Sequence, residues 1–352
     1  MKFSLKKTHL IGLDIGSRTI KLAELVDGKS GMVLNNFNTV NIESGLIEDG
    51  SIKNPETVSR YIRELFKSVK LKGQNVAISI GGYSVIVKKI NVQTMTEEEL
   101  QESIHFEAEQ YIPFDISEVN LDFQILGVSE HNPNQMNVLL VAAKKEMINE
   151  YINLMQMAKL RPRIIDVDAF ALQNIFKLNY SIENENISLI DIGASKTSLN
   201  ILKDSVSEFM RDVSLGCDQI NHKIASTVGC SIEESEAVKL GQASDIMSDD
   251  DLKDIVESVV TDWCVEIKRA LDFFLSSYPE EQISRIVLSG GGANIKKFRE
   301  LLAAETSTEV EVINPFQAVD LDGQRFDPSH LGQIAPQAAI CMGLATRKAG
   351  DK

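Results

Sequence analysis

Two stretches of this chain carry one pattern. The run His9-Leu-Ile-Gly-Leu-Asp-Ile-Gly-Ser-Arg-Thr-Ile-Lys-Leu-Ala-Glu-Leu25 returns, altered, as Asn186-Ile-Ser-Leu-Ile-Asp-Ile-Gly-Ala-Ser-Lys-Thr-Ser-Leu-Asn-Ile-Leu202. With Asp14 aligned on Asp191, each copy reads as apolar strand, Asp-Ile-Gly, a few small polar residues, apolar strand. A single copy would be an ordinary hairpin, its Asp and Gly serving the turn. Two copies point to two related half-domains, each aiming a β-turn and a carboxylate at a shared cleft.

A chain of 352 residues has room for two such halves and a further domain. Its net charge of −15, with no basic cluster beyond Lys6-Lys7, speaks against nucleic acid, which needs a basic face to neutralise phosphates. The same balance opposes direct docking on anionic lipid. No apolar run approaches the roughly 18–20 residues that span a bilayer, so no direct membrane insertion is expected. The first ten residues carry charge and lack the apolar core of a signal peptide. Cys217, Cys230, Cys264 and Cys341 form no Cys-x-x-Cys pair, and the five histidines are as scattered. Neither a disulfide framework nor a zinc site is indicated. The expected location is the cytoplasm.

Local signals divide the rest of the chain. Asn54-Pro55-Glu56 predicts a helix start, with Val58, Ile62, Leu65, Phe66 and Val69 on its apolar face. Asn75 to Ile80 reads as a buried strand ending at Gly81-Gly82. Residues 83–160 read as a compact insert. It opens with a strand from Val85 to Val92, followed by capping-box spacing at Thr96 and Glu99. The helix places Leu100, Ile104, Ala108 and Tyr111 on one face and stops at Pro113. Val119, Leu121, Phe123 and Ile125 alternate with polar residues as in a strand with one wet face. A strand from Met136 to Ala143 and a helix from Lys145 to Ala158 complete a β-α-β-β-α unit. Residues 216–280 read as helical, interrupted by an exposed acidic loop at Ser248-Asp-Asp-Asp251. A strand from Ser284 to Ser289, a turn at Gly290-Gly291-Gly292, a helix from Ile295 to Ala304 and a last helix from Pro336 to Lys348 follow. The expected division is residues 1–82, 161–185 and 334–352 for the first lobe, 83–160 for the insert, 186–213 and 282–333 for the second lobe, and 214–281 for its helical subdomain.

The chemistry concentrates at the repeated turns. Gly16 lets the backbone turn tightly, and the amides of Gly16, Ser17, Arg18 and Thr19 would form a nest for phosphate oxygens. Ser17 and Thr19 add hydroxyls, and Lys21 adds a compact positive charge. Asp14 would hold Mg²⁺ through water, because that ion dehydrates reluctantly. Gly193, Ala194, Ser195 and Lys196 offer an opposing phosphate turn, with Asp191 as second carboxylate. Gly290, Gly291 and Gly292 would let a flat base or ribose lie on bare backbone beside a helix N-terminus. Each feature alone also fits an ordinary turn; together they are harder to explain that way.

The ordered set of two phosphate turns, strand, glycine triplet, helix and terminal helix resembles the actin, heat-shock-chaperone ATPase and FtsA superfamily. The insert sits where FtsA carries its 1C subdomain, the SHS2 unit. Within that group, Phe106-Glu-Ala-Glu-Gln-Tyr-Ile-Pro-Phe114 followed by Asn120-Leu-Asp-Phe-Gln124 resembles the PilM family of type IV pilus assembly proteins. Gly216-Cys-Asp-Gln-Ile220 and Glu236-Ala-Val-Lys239 fit that family's nucleotide-proximal helices, and Glu266-Ile-Lys-Arg-Ala-Leu-Asp-Phe273 its adenine-side helix. The similarity runs from about residue 8 to residue 347.

The resemblance implies an α/β chain with the actin-like, ribonuclease H-like two-lobed ATPase fold and an FtsA-type α+β subdomain inserted in the first lobe. It implies ATP and Mg²⁺ as cofactors, with Asp14 and Asp191 at the metal. Gly216 would lie near the nucleotide, Glu236 and Lys239 at ribose and adenine, and Lys268 and Arg269 beside the base. For Glu236 and Lys239 an ordinary i,i+3 charge pair fits as well. The implied partner is the N-terminal cytoplasmic tail of the inner-membrane protein PilN, bound between insert and first lobe, with other pilus platform or motor components beyond it. The protein would then lie peripheral to the inner membrane through that partner. Phe106, Tyr111, Ile112 and Phe114 are expected in the insert's own core.

Two departures point to binding with slow turnover. Thr197-Ser198 stands where related hydrolases place a His or Gln to orient water, and Cys217 where the family has a second glycine. Two other readings remain. A small-molecule kinase or exopolyphosphatase would need a carboxylate base, and no acid besides the two metal carboxylates is placed for it. An FtsA-like cell-division tether would need an amphipathic anchor, which Arg347-Lys-Ala-Gly-Asp-Lys352 does not resemble.

Overall fold

The structure is a computed structural model and describes residues 9–29, 31–129, 132–181 and 185–351. Lys6-Lys7 and the charged stretch before His9 lie outside the described residues.

The first lobe starts with an antiparallel meander, β1 (Ile11–Ile15), β2 (Thr19–Asp27) and β3 (Met32–Asn41). A two-residue hairpin, β4 (Ile47–Glu48) and β5 (Ser51–Ile52), leads to α1 (Pro55–Ser68) and β6 (Asn75–Ile80). The Asn54 side chain accepts the Thr57 N–H and Pro55 opens the helix, so the start falls where the sequence puts it. Val58, Ile62, Leu65 and Phe66 are buried.

The insert contains β7 (Val85–Gln93), α2 (Glu97–Ala108), β8 (Val119–Val128) and β9 (Gln135–Lys144), its antiparallel sheet ordered β7-β9-β8. The capping box at Thr96 and Glu99 is formed. α2 ends at Ala108, short of Tyr111, because backbone ahead of Pro113 is steered away from helix. Ile90, Leu100, Ile104, Ile112, Val138 and Leu140 make the core. Tyr111 and Phe114 pack at its margin, but Phe106 is 70 % exposed. Phe106 therefore departs from the expected core set.

α3 (Lys145–Met157) buries Met147, Tyr151, Leu154 and Met155 among Ile62, Leu65 and Ile78 of the first lobe rather than in the insert. β10 (Arg161–Val167) pairs parallel with β6, and α4 (Asp168–Asn179) follows without a loop.

The second lobe repeats the plan with β11 (Asn186–Ile192), β12 (Thr197–Lys203) and β13 (Val206–Val213). Its helical part is α5 (Asp218–Val228), α6 (Ile232–Lys239) and α7 (Asp249–Ser277). The acidic run is no loop. Ser248 caps α7 by accepting the Asp251 N–H, and the three aspartates occupy the first turn, where the helix dipole favours negative charge. β14 (Arg285–Ser289), α8 (Lys296–Thr306) and β15 (Glu309–Val312) complete the lobe.

The chain then returns to the first sheet as β16 (Val319–Asp320), parallel with β3, earlier than the expected boundary at 334. α9 (Pro328–Ala345) also starts early, behind Asp327, whose side chain accepts the Ser329 N–H. Pro336 lies inside it, and the Pro336 carbonyl accepts the Gly290 N–H and the Ser289 hydroxyl.

The sheets run β10-β6-β1-β2-β3-β16 and β13-β12-β11-β14-β15, so five strands share one order. That is the structural form of the repeated sequence. Between the sheets lie α4 and α9, whose buried residues join Ala23, Leu25 and Ala77 to Ile187, Leu189 and Val287 in one core. Gly343 makes this crossing possible, since a Cβ there would overlap the Ala171 carbonyl.

Candidate functional site

The two predicted turns meet. Each is closed by one backbone bond, Gly16 N–H to Thr19 O at 3.2 Å and Gly193 N–H to Lys196 O at 2.9 Å. Their tips face across the lobes, with the Ser17 and Ser195 hydroxyls 3.2 Å apart. Next to them, Arg18 Nε donates to Asp218 Oδ1 at 3.1 Å, joining the first turn to the start of α5. Gly216 lies against Ala194, so the segment before α5 backs the second turn.

The carboxylates differ by what stands opposite them in the hairpin. Asp14 pairs in register with Lys21, and Lys21 Nζ donates to Asp14 Oδ2 at 2.9 Å. Asp191 pairs with Ser198, which brings no charge. Burial raises both carboxyls above the ordinary aspartate value. Asp191, with Asp14 and Asp168 adding repulsion against a Ser289 hydrogen bond, is pushed up to about 6. Lys21 is held charged, because the attraction of Asp14 outweighs its burial.

This difference gives a pH signature. The folded-state value of Asp191 lies above the ordinary 3.8, so its ionisation weakens the fold as pH rises toward and through about 6. Asp191→Asn cannot ionise. In buffer free of metal and nucleotide its stability relative to wild type should rise by about 1–3 kcal/mol between pH 4 and pH 8. Thermal melts across that range that run parallel would contradict the assignment.

Sequence reasoning missed a third carboxylate. Asp168, the first residue of α4, accepts from Lys196 Nζ at 2.7 Å. Burial works to raise its pKa, but Lys196, the Ser79 hydroxyl and Lys21 together hold it below the ordinary value. Its signal was an acid opening a helix straight after a strand, at the carboxyl end where α/β sheets bind ligands. A third acid thus stands beside Asp14 and Asp191.

Glu236 and Lys239 do form the i,i+3 pair, at 2.7 Å, but they are not isolated. Asn221 Nδ2 donates to both Glu236 and Asp218, tying α6 to the Arg18 contact. Burial would raise Glu236, and the bonds from Lys239 and Asn221 lower it overall. Lys268 and Arg269 instead pair with Asp272 and Glu266 along the exposed side of α7. In the glycine triplet, Gly290 has φ +82° and presses on the Ile192 backbone, and Gly292 meets the Ile192 side chain. Those two serve internal packing; around Gly291 the nearest atom to an added Cβ is Gln337 Nε2 at 4.0 Å. The Thr197 hydroxyl is spent on the Leu215 carbonyl at 3.0 Å, and burial pushes the Cys217 thiol up to about 11.

A groove of about 900 Å³ opens between the insert and the first lobe. Asn120 to Leu126 of β8 and Leu139, Val141 and Ala143 of β9 form one wall. Arg163 to Val167 of β10 and Phe170, Gln173, Asn174 and Lys177 of α4 form the other. β8 is an edge strand, and its Phe123 N–H is taken by the Asp122 side chain at 2.9 Å.

Comparison with known proteins bears on family and fold. A family model described as type IV pilus assembly protein PilM matches residues 12–349. A solved PilM-PilN type IV pilus biogenesis complex is 27% identical at a TM-score of 0.87, over 98% of this chain and 100% of that one. The ethanolamine utilization protein EutJ from Carboxydothermus hydrogenoformans is 13% identical at a TM-score of 0.59, over 97% and 90%. MreB5 of Spiroplasma citri bound to AMPPNP is 11% identical at a TM-score of 0.52, over 96% and 94%. At such identities the last two bear on the fold alone, and that fold is the actin-like ATPase fold. With a family match over nearly its whole length, the chain belongs to the PilM family of type IV pilus assembly proteins.

Proposed function

We propose that this protein is an ATP-binding platform component of the type IV pilus machine that captures the N-terminal cytoplasmic tail of PilN. The groove between β8, β9, β10 and α4 carries the reading. An edge strand flanked by apolar and polar side chains suits an extended peptide, which gains backbone bonds at the edge and selectivity from side-chain pockets. The likeness to a PilM-PilN complex over the whole chain supports the same partner. Among the described residues no helix is long and apolar enough to cross a membrane, so contact with the inner membrane would run through that partner.

ATP belongs to the facing turns. The turns at Gly16 and Gly193 would cradle phosphates, with Lys21 and Lys196 as cations. Arg18 Nη2 is buried without a hydrogen-bond partner, a donor that a phosphate oxygen would satisfy. No cluster of three or more His, Cys, Asp or Glu among the described residues would cage a metal. The carboxylates Asp14 and Asp191 instead fit a hydrated Mg²⁺ that neutralises phosphate charge. Turnover should be slow, below about 1 s⁻¹, because the Thr197 hydroxyl is committed to the Leu215 carbonyl and Ser198 is no base. A phosphotransferase could use Asp168 as its base only once Lys196 had left it, and a screen for phosphoryl transfer to sugars or polyphosphate tests that reading.

Hydrogen exchange with and without a peptide of the PilN N-terminal tail tests the partner site. Protection should be confined to β8, β9, β10, α4 and the 205–207 segment that also lines the groove; protection elsewhere, or no binding, would sink it.

A further inference from the structure

Three elements converge on the Lys196–Asp168 ion pair. Lys196 belongs to the second phosphate turn, where its carbonyl accepts the Gly193 N–H. Asp168 opens α4, and Val167 before it supplies no side-chain cap, so the Asp168 carboxylate is the negative charge at that helix start. Gly81, at the connector from β6 into the insert, lies directly against both charged groups, with no space for a Cβ. Its neighbour Gly82 donates its N–H to Asp212 of β13 at 2.7 Å.

The same elements run on to the groove. Within three turns of Asp168, α4 presents Phe170, Gln173, Asn174 and Lys177 to it. One residue before the connector, Ile80 also lines it. The ion pair thus has the nucleotide cleft on one side and the groove wall on the other.

We propose that this pair couples the two sites: a nucleotide phosphate draws Lys196 from Asp168, and the start of α4 and the 81–82 connector rearrange with it. The inference rests on the ATP-binding reading above. Its physical basis is exchange of partners. The Lys196 ammonium has three donors, but a multiply charged phosphate would compete with Asp168 for its position. A released Asp168 is left near Asp14 and Asp191, both of which repel it. Because coupling between binding sites is reciprocal, occupation of the groove would shift nucleotide affinity by the same factor.

The test is hydrogen exchange on the full chain, with calorimetry run in parallel on ATP and Mg²⁺. Saturating ATP should alter exchange at residues 79–83 and in the first two turns of α4, besides the phosphate turns. Asp168→Asn removes the charge attraction and should abolish most of that distant response while ATP still binds. Asp168→Ser, which also removes the charge, serves as a second variant should Asp168→Asn fail to fold. Calorimetric binding of ATP with unchanged exchange at α4, or a full response in the folded variant, would overturn this inference alone. Absence of ATP binding would overturn it together with the reading it rests on.

Discussion

Gly343→Ala should destabilise the protein by about 3 kcal/mol, at the upper end of overpacking costs. The added Cβ would overlap backbone, the Ala171 carbonyl of α4, rather than the end of a flexible side chain. Helix propensity alone predicts the opposite sign, since alanine is favoured over glycine within helices by about 1 kcal/mol. Gly332→Ala on the same helix separates the effects, because nothing lies within 4 Å of its added Cβ. That variant should gain roughly 0.5–1 kcal/mol. Urea unfolding of both would show it; two stabilised variants would contradict the packing of α4 on α9.

Breaking the Asp14–Lys21 pair should cost about as much. Their side chains are 11% and 13% exposed, so removing one partner leaves a charge with little water and without its hydrogen-bonded counter-ion. Either Asp14→Asn or Lys21→Met is expected to cost about 3 kcal/mol, toward the lower end of values for half-broken buried pairs. The double variant leaves no stranded charge and should cost clearly less than the sum. A double-mutant cycle that came out additive would mean that the pair is solvated.

What the sequence made legible was local and periodic. Asp14 and Asp191 announced the paired turns because each hairpin is contiguous. Thr96 with Glu99, and Asn54 with Pro55, fixed helix starts through bonds spanning three residues. Signals in conflict were read the wrong way. Ser248 and Asp251 have cap spacing, yet three adjacent acids suggested a loop. Pro336 suggested a helix start, although Asp327-Pro328 carries the actual cap. Contacts between distant segments were out of reach. Arg18 meets Asp218 across 200 positions, and Lys196 meets Asp168 across 28. No period or cap announces such a pair. α3 adjoins the insert in sequence, but its buried face matches the first lobe, a choice only packing decides.

The facing turns would bind the phosphates of a nucleotide. Calorimetric titration of the wild-type protein with ATP, with and without Mg²⁺, and with adenosine tests it most directly. ATP with Mg²⁺ should bind at least about tenfold more tightly than adenosine, a difference of about 1.4 kcal/mol. Omitting Mg²⁺ should remove part of that gain, since Asp14 and Asp191 would then face the phosphates unshielded. Equal affinity for ATP and adenosine, or no heat from either, would contradict the account.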